Sequence, residues 1–216
     1  MKLVYFNAKG LAETSRLLLA IARVSYEDYR YPLEVVDMKS FNMVKKEFDE
    51  DKLNGKLVGS LNKVPYLEVD GQVIPQSKAI ERYISKSYNL MGSNLLEEAR
   101  IDAIGECIRD IKDAYQKVRR IENADEKVKG LEEWFSETLP TRMELLEKVL
   151  DEEFAVGSSL SLADVQLFSF ITQFFDNKEG ALNAINNCPR IRNSVDKVAN
   201  LEEVKEWINT RPDTVF

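Results

Sequence analysis

The chain has 216 residues, 44% hydrophobic and 31% charged, an ordinary globular composition with length for one large domain or two small ones. Its 30 Lys and Arg stand against 37 Asp and Glu, a formal charge of -7, which argues against nucleic acid as a partner because phosphate binding needs a basic face. Histidine is absent, which excludes Ser-His-Asp or Cys-His nucleophiles and His-ligated metals, and Cys107 and Cys188 form no C-x-x-C pair for zinc or dithiol chemistry. No run of about 18 apolar residues is present to span a membrane. Met1-Lys2-Leu3-Val4 leads straight into strand-like sequence rather than a secretory leader, so a cytoplasmic address is expected.

Lys2 to Phe6 alternates as a strand and breaks at Asn7-Ala8-Lys9-Gly10. Ala12 to Arg23 follows as a helix facing a core with Leu17, Leu18 and Ile21, and Tyr26 to Tyr31 is a second strand. This βαβ unit predicts parallel strands and a right-handed crossover. Ser40 to Leu53 places Phe41, Val44 and Phe48 at helical spacing among charges and reads as an exposed helix, and Gly55 to Asn62 as a loop. Two short strands around Asp70-Gly71 form a hairpin, and Ala79, Ile80, Tyr83 and Ile84 carry a helix opening at Gln76-Ser77. The order βαβ-ββα is thioredoxin-like.

Residues 87–94, SYNLMGSN, are the linker, and only helices follow. Asn94 with Glu97 caps a helix whose stripe runs through Ile101, Ile104, Ile108, Ile111, Tyr115 and Val118. A second runs from Asp125 to Leu150, divided or kinked at Pro140. Ser161 to Asp164 is a capping box before a strongly apolar helix; Asp164 is there to start that helix, not to catalyse. Two shorter helices, near Arg190 to Ala199 and Leu201 to Thr210, close the chain. The fold class is therefore α/β plus all-α, a thioredoxin-like domain over residues 1–86 and an all-helical domain over 95–216.

Two places invite chemistry. A cis bond at Val64-Pro65 would turn the valine N–H and C=O outward, where an extended peptide can pair with them. Gln76-Ser77 at a helix N-terminus offers unpaired N–H groups, the helix dipole and a hydroxyl to a carboxylate. A loop proline and a serine cap are the plainer reading of the same residues. Tyr5 ends the first parallel strand, the side on which α/β sheets bind ligands, although spacing alone also fits a half-buried strand tyrosine.

The pattern V-P-x-L-x-x-D-G-x-x-x-x-Q-S-x-A-I-x-x-Y from Val64 to Tyr83 resembles the glutathione transferases, and the likeness covers nearly the whole chain. It includes Tyr5-Phe6-Asn7, Gly157 with Ser161 to Asp164, and Arg211-Pro212 to Phe216. The opening and the ending are most similar to the sigma class, which includes the S-crystallins, while Asp51-Lys52-Leu53 is more alpha-like. The resemblance implies a glutathione transferase fold and a cytoplasmic homodimer that joins glutathione, its co-substrate, to small apolar electrophiles. Peroxide reduction and isomerisation of a prostaglandin-like endoperoxide are related activities of the same thiolate. A structural or ligand-carrying protein of the S-crystallin kind is the rival.

By the same resemblance the Tyr5 hydroxyl donates to the glutathione sulfur and favours thiolate over thiol. Val64, before Pro65, pairs with the cysteinyl backbone; Gln76 and Ser77 hold the γ-glutamyl carboxylate; Asn62 and Lys63 touch the tripeptide. Lys52 and Lys56 can face the glycyl carboxylate, although lysines on such an acidic helix and loop are commonly just solvated. Asp110 is where a dimer partner reaches the γ-glutamyl ammonium, or else a plain exposed carboxylate. Leu11, Tyr115 and Phe216, with Val215, would line the electrophile pocket. One departure matters: many relatives read Y-F-x-x-R-G-R, and Leu11 replaces the second arginine, which predicts weaker thiol activation. Leu61 stands where alpha-like relatives place an aromatic key, which predicts a flatter, more polar dimer seam.

Overall fold

The structure, a computed structural model, describes residues 1–37 and 42–214. By its contacts the chain divides into two compact units, one of Met1–Ile84 with the segment from Glu203 onward, the other of Ser85–Glu202.

The first unit follows the expected βαβ-ββα order. It runs through β1 (Lys2–Phe6), a 3₁₀ turn at Gly10–Ala12, α1 (Glu13–Ile21), β2 (Glu27–Tyr31), β3 (Glu34–Asp37), β4 (Asn42–Val44) and α2 (Lys46–Leu53). β5 (Tyr66–Val69), β6 (Gln72–Pro75) and α3 (Ser77–Ser87) complete it. The main sheet has the order β2-β1-β5-β6, with β1 parallel to β2 and antiparallel to β5. Leu3 and Val4 are both fully buried, so both faces of β1 are covered, as expected of a central strand carrying crossover helices. Asp70 and Gly71 have φ of 49° and 76°, the two positive values of a type I′ turn that suits the twist of a hairpin.

The segment expected as one helix from Ser40 differs. Asn42–Val44 is a strand paired antiparallel with β3, and the helix starts only at Lys46; Ser40 and Phe41 lie outside the described residues. α2 buries Phe48 alone, and Val44 spends its β-branched side chain in a two-stranded ribbon rather than on a helix face. Phe48 joins Val4, Tyr31 and Leu57 in a small core against which Phe6, Tyr29, Val64 and Tyr66 pack.

The second unit begins with the end of α3 and α4 (Leu95–Arg119), where the Asn94 side chain accepts from the N–H groups of Leu96 and Glu97, each at 3.0 Å. Five of the expected stripe, Ile101, Ile104, Ile108, Ile111 and Tyr115, are buried. The next helix is divided near Pro140, as expected: α5 (Ala124–Glu133) passes through a π turn at Trp134–Thr138 into α6 (Leu139–Glu147), with the proline in the first turn of α6. α7 (Leu162–Ser169) opens on the predicted capping box, in which buried Asp164 accepts from Ser161 N–H at 2.9 Å and from the Ser161 hydroxyl, Ala155 N–H and Ser194 hydroxyl at 2.8 Å each. The short α8 (Lys178–Asn183) was not expected, since six residues show little periodicity. α9 (Pro189–Asn200) closes the second unit, and α10 (Glu202–Thr210) belongs, from Glu203 onward, to the first. Among the described residues no helix is long and apolar enough to cross a membrane.

Candidate functional site

Register gathers the candidates at one edge of the sheet. Val4 pairs with Tyr66, and Tyr66 with Pro75. Tyr5 and Phe6 therefore run toward Pro65 and Val64, and Gln76 leaves β6 at the same end. This is the carboxyl end of the parallel pair, where open α/β sheets take ligands.

Tyr5 is only partly exposed, and its hydroxyl oxygen accepts the Leu11 N–H at 3.2 Å. The oxygen is then polarised by a donor while its own proton remains available to another acceptor. Burial pushes the Tyr5 hydroxyl above its ordinary value, opposed by the Leu11 N–H and by the charge of Arg16. At neutral pH the group is a neutral donor. Gly10 makes the arrangement possible: a Cβ there would stand 2.7 Å from Tyr5 Oη, and the residue has φ of 40°, a conformation that favours glycine. Leu11 itself is 57% exposed beside that hydroxyl.

The Val64-Pro65 bond is cis. Leu61 and Asn62 before it are both left-handed, with φ of 59° and 57°, and Lys63 is exposed. Gln76 has φ of 75° and gives its carbonyl to Ile80 N–H at 3.0 Å, so it holds the cap position and Ser77 is the first helical residue. A non-glycine residue held in that region is a form of local strain that clusters at binding sites. The amides at the start of α3 have no carbonyl one turn back.

Other candidates land elsewhere. Lys56 is engaged by Asp51, Nζ to Oδ1 at 2.6 Å, and Asp51 also accepts the Tyr31 hydroxyl at 2.9 Å; Lys52 is exposed on α2. Asp110 is exposed on α4 and accepts from Arg109 at 3.2 Å. Tyr115, expected on the wall of an electrophile pocket, is only 3% exposed. It is packed among Trp134, Phe135, Phe174 and Phe175, with ring centres 4.9 to 5.8 Å away, and so serves the aromatic core of the helical unit. Val215 and Phe216 lie outside the described residues.

Three residues here escaped the sequence reading. Gly10 looked like a strand terminator and is the residue that lets the loop pass Tyr5. Arg16 is fully buried on α1, its guanidinium carbon 5.9 Å from the centre of the Tyr5 ring; an arginine just before Leu17-Leu18-Leu19, three residues after a glutamate, was the available signal. Lys45 lies over Phe6 at 6.0 Å and Phe48 at 5.3 Å, a cation on the cluster against which Val64 packs. Among the described residues no group of acidic or cysteine side chains can hold a metal ion.

Residues 1–86 match the glutathione S-transferase N-terminal domain and residues 109–211 the C-terminal domain of the same family. The chain is 32% identical over its whole length to hematopoietic prostaglandin D synthase of Gallus gallus, covering 98% of that protein. It belongs to the glutathione S-transferase family. Glutathione S-transferase 1 of Ascaris suum is 30% identical, again with the whole chain and 98% of the relative covered. Among solved structures, prostaglandin synthase D of Nilaparvata lugens superimposes with a TM-score of 0.77 at 29% identity, covering 99% of this chain and 98% of that one. Structures named as pi-class and nu-class transferases match as well, so the likeness extends across classes. This glutathione S-transferase is an enzyme that uses glutathione as co-substrate, and the S-crystallin-like alternative is set aside.

Proposed function

We propose that Tyr5 is the catalytic residue and that its hydroxyl donates to the sulfur of bound glutathione, holding it as the thiolate that attacks an apolar electrophile. The observation that carries this is the Leu11 N–H on Tyr5 Oη. It occupies the oxygen and leaves the proton to point elsewhere, while burial keeps the hydroxyl protonated at neutral pH. A neutral donor stabilises thiolate more than thiol, so thiol acidity rises. The Leu11 N–H would be present with an arginine there as well, so the charge of that arginine is lost outright, while the exposed leucine side chain offers the electrophile an apolar surface.

In this reading the cysteinyl backbone pairs with Val64 ahead of buried Pro65, Asn62 and Lys63 flank the peptide, and the γ-glutamyl carboxylate sits on Gln76, Ser77 and the first amides of α3. The glycyl carboxylate turns toward Lys45 rather than Lys52 or Lys56, because Lys56 is neutralised by Asp51 while Lys45 borders the cluster that carries Val64. The enzyme is a cytoplasmic homodimer of sigma-like class in which Asp110 meets the partner's γ-glutamyl ammonium. The name of the Gallus gallus relative supports isomerisation of a prostaglandin-type endoperoxide as a second activity of the same thiolate. The decisive test is the pH titration of thiolate ultraviolet absorbance for glutathione bound to the enzyme and to Tyr5→Phe. Ionisation at least about one pH unit below free glutathione, reversed by Tyr5→Phe, is expected; ionisation as in water would remove the catalytic assignment.

A further inference from the structure

The Arg16 side chain ties three parts of the first unit together. Nη1 donates to the Ala8 carbonyl at 2.6 Å, in the loop that carries Gly10 and Leu11 past Tyr5. Nε donates to Asp28 on β2 at 3.2 Å, and Nη1 stands 3.5 Å from Glu13 Oε2 without a hydrogen bond. Glu13 is itself buried, and its other oxygen accepts Trp207 Nε1 at 2.8 Å and the Arg211 guanidinium. The segment bearing these two is fixed at its start by Arg23 on Glu203 at 2.7 Å. Among the described residues Arg30 also faces this cluster, donating to Asp28 at 2.7 Å, as does Tyr26, whose hydroxyl is kept protonated by burial and by Asp28. Among the described residues the guanidinium groups of Arg16, Arg30 and Arg211 face the carboxylates of Glu13 and Asp28, so losing Arg211 removes one positive charge from the cluster.

We infer that Trp207 and Arg211, by competing with Arg16 for the Glu13 carboxylate, leave more of the Arg16 charge acting at Tyr5, so that the segment from Glu203 onward tunes the acidity of the active-site thiol. The inference rests on the assignment of Tyr5 above. A buried carboxylate must be paired. Without Arg211 and Trp207, Glu13 draws wholly on Arg16, cancelling the guanidinium's field on the tyrosine ring and loosening its grip on the Ala8 loop. Arg16, Glu13, Trp207 and Arg211 are positioning residues, since none of them touches the sulfur. They fill the electrostatic gap that Leu11 opens.

The test uses the full chain with glutathione and an aryl halide, comparing Arg211→Gln, Arg211→Lys, Trp207→Phe and Tyr5→Phe by bound-thiolate absorbance and the pH profile of kcat/KM. Arg211→Gln is expected to raise the thiol titration by about half a pH unit, which is roughly a 3-fold loss of kcat/KM on the acid side and none above the titration. Trp207→Phe moves it the same way by less, and Arg211→Lys restores it. If Arg211→Gln or Trp207→Phe lowers Tm but leaves the titration in place while Tyr5→Phe shifts it, the relay is wrong and Tyr5 stands. If Tyr5→Phe leaves the titration unmoved, the Tyr5 assignment fails and the relay fails with it.

Discussion

At the scale of single residues, the site depends on one hydroxyl and the glycine beside it. A hydrogen bond to a charged acceptor contributes about 1.5–3 kcal/mol, so Tyr5→Phe should lower kcat/KM about 10- to 100-fold near neutral pH. The deficit should shrink as pH rises past the ordinary thiol range near about 8.5, because the thiolate then forms without help; a deficit independent of pH would mean that Tyr5 acts on something other than ionisation. Gly10→Ala tests the frame around the same group. Its Cβ would lie 2.7 Å from Tyr5 Oη at a φ of 40°, so the loop or the tyrosine must move. The expected result is a stability loss of about 1–2 kcal/mol by chemical denaturation together with a higher thiol titration. The Leu11 amide was not legible in the sequence, and for the buried Arg16 behind Tyr5 only its place after Glu13 and before an apolar run was. A backbone N–H carries no side-chain signal, and a charge inside an apolar run reveals its partners only after the strands and the C-terminal segment have come together.

At the scale of elements, what was legible was local. The Asp70-Gly71 hairpin, the Asn94 cap with the long apolar stripe of α4, and the Ser161 capping box each depend on residues within a few positions of one another, and each formed where expected. The β3–β4 ribbon escaped the sequence reading because strands of three and four residues show no clear alternation. A helix cap alone contributes around 1 kcal/mol, but the Asp164 side chain also accepts Ala155 N–H and the Ser194 hydroxyl. Asp164→Ala should therefore cost about 2–4 kcal/mol in thermal or urea unfolding with the thiol titration unchanged. Ion pairs between elements predict the acid response. Arg100 on α4 and the Gly157 N–H hold the Asp151 carboxyl below the usual carboxylate range. A depressed folded value stabilises above the unfolded titration and is lost as pH falls below about 4. Arg100→Gln should move the acid-unfolding midpoint to higher pH, with a much smaller change at neutrality because the pair is partly exposed and screened.

At the scale of the whole molecule, the helical unit presents an apolar recess of about 290 Å³ between α4 and α6, bounded by Ala103, Ile104, Cys107, Leu145, Leu146 and Val149. Leu145 and Val149 are 60% and 57% exposed at its mouth. Apolar surface gathered in one place is usually covered in a folded protein's working state, and the proposed homodimer supplies a cover. Leu61, where alpha-like relatives place an aromatic key, is 62% exposed. Leu145→Glu with Val149→Glu places charge at the mouth without touching Tyr5 or the sheet edge. The double variant should sediment as a monomer at micromolar concentration where the parent sediments as a dimer, and its bound glutathione should ionise as in the parent. A parent that is already monomeric at those concentrations would remove both the dimer and the part assigned to Asp110, since that residue acts only from a partner.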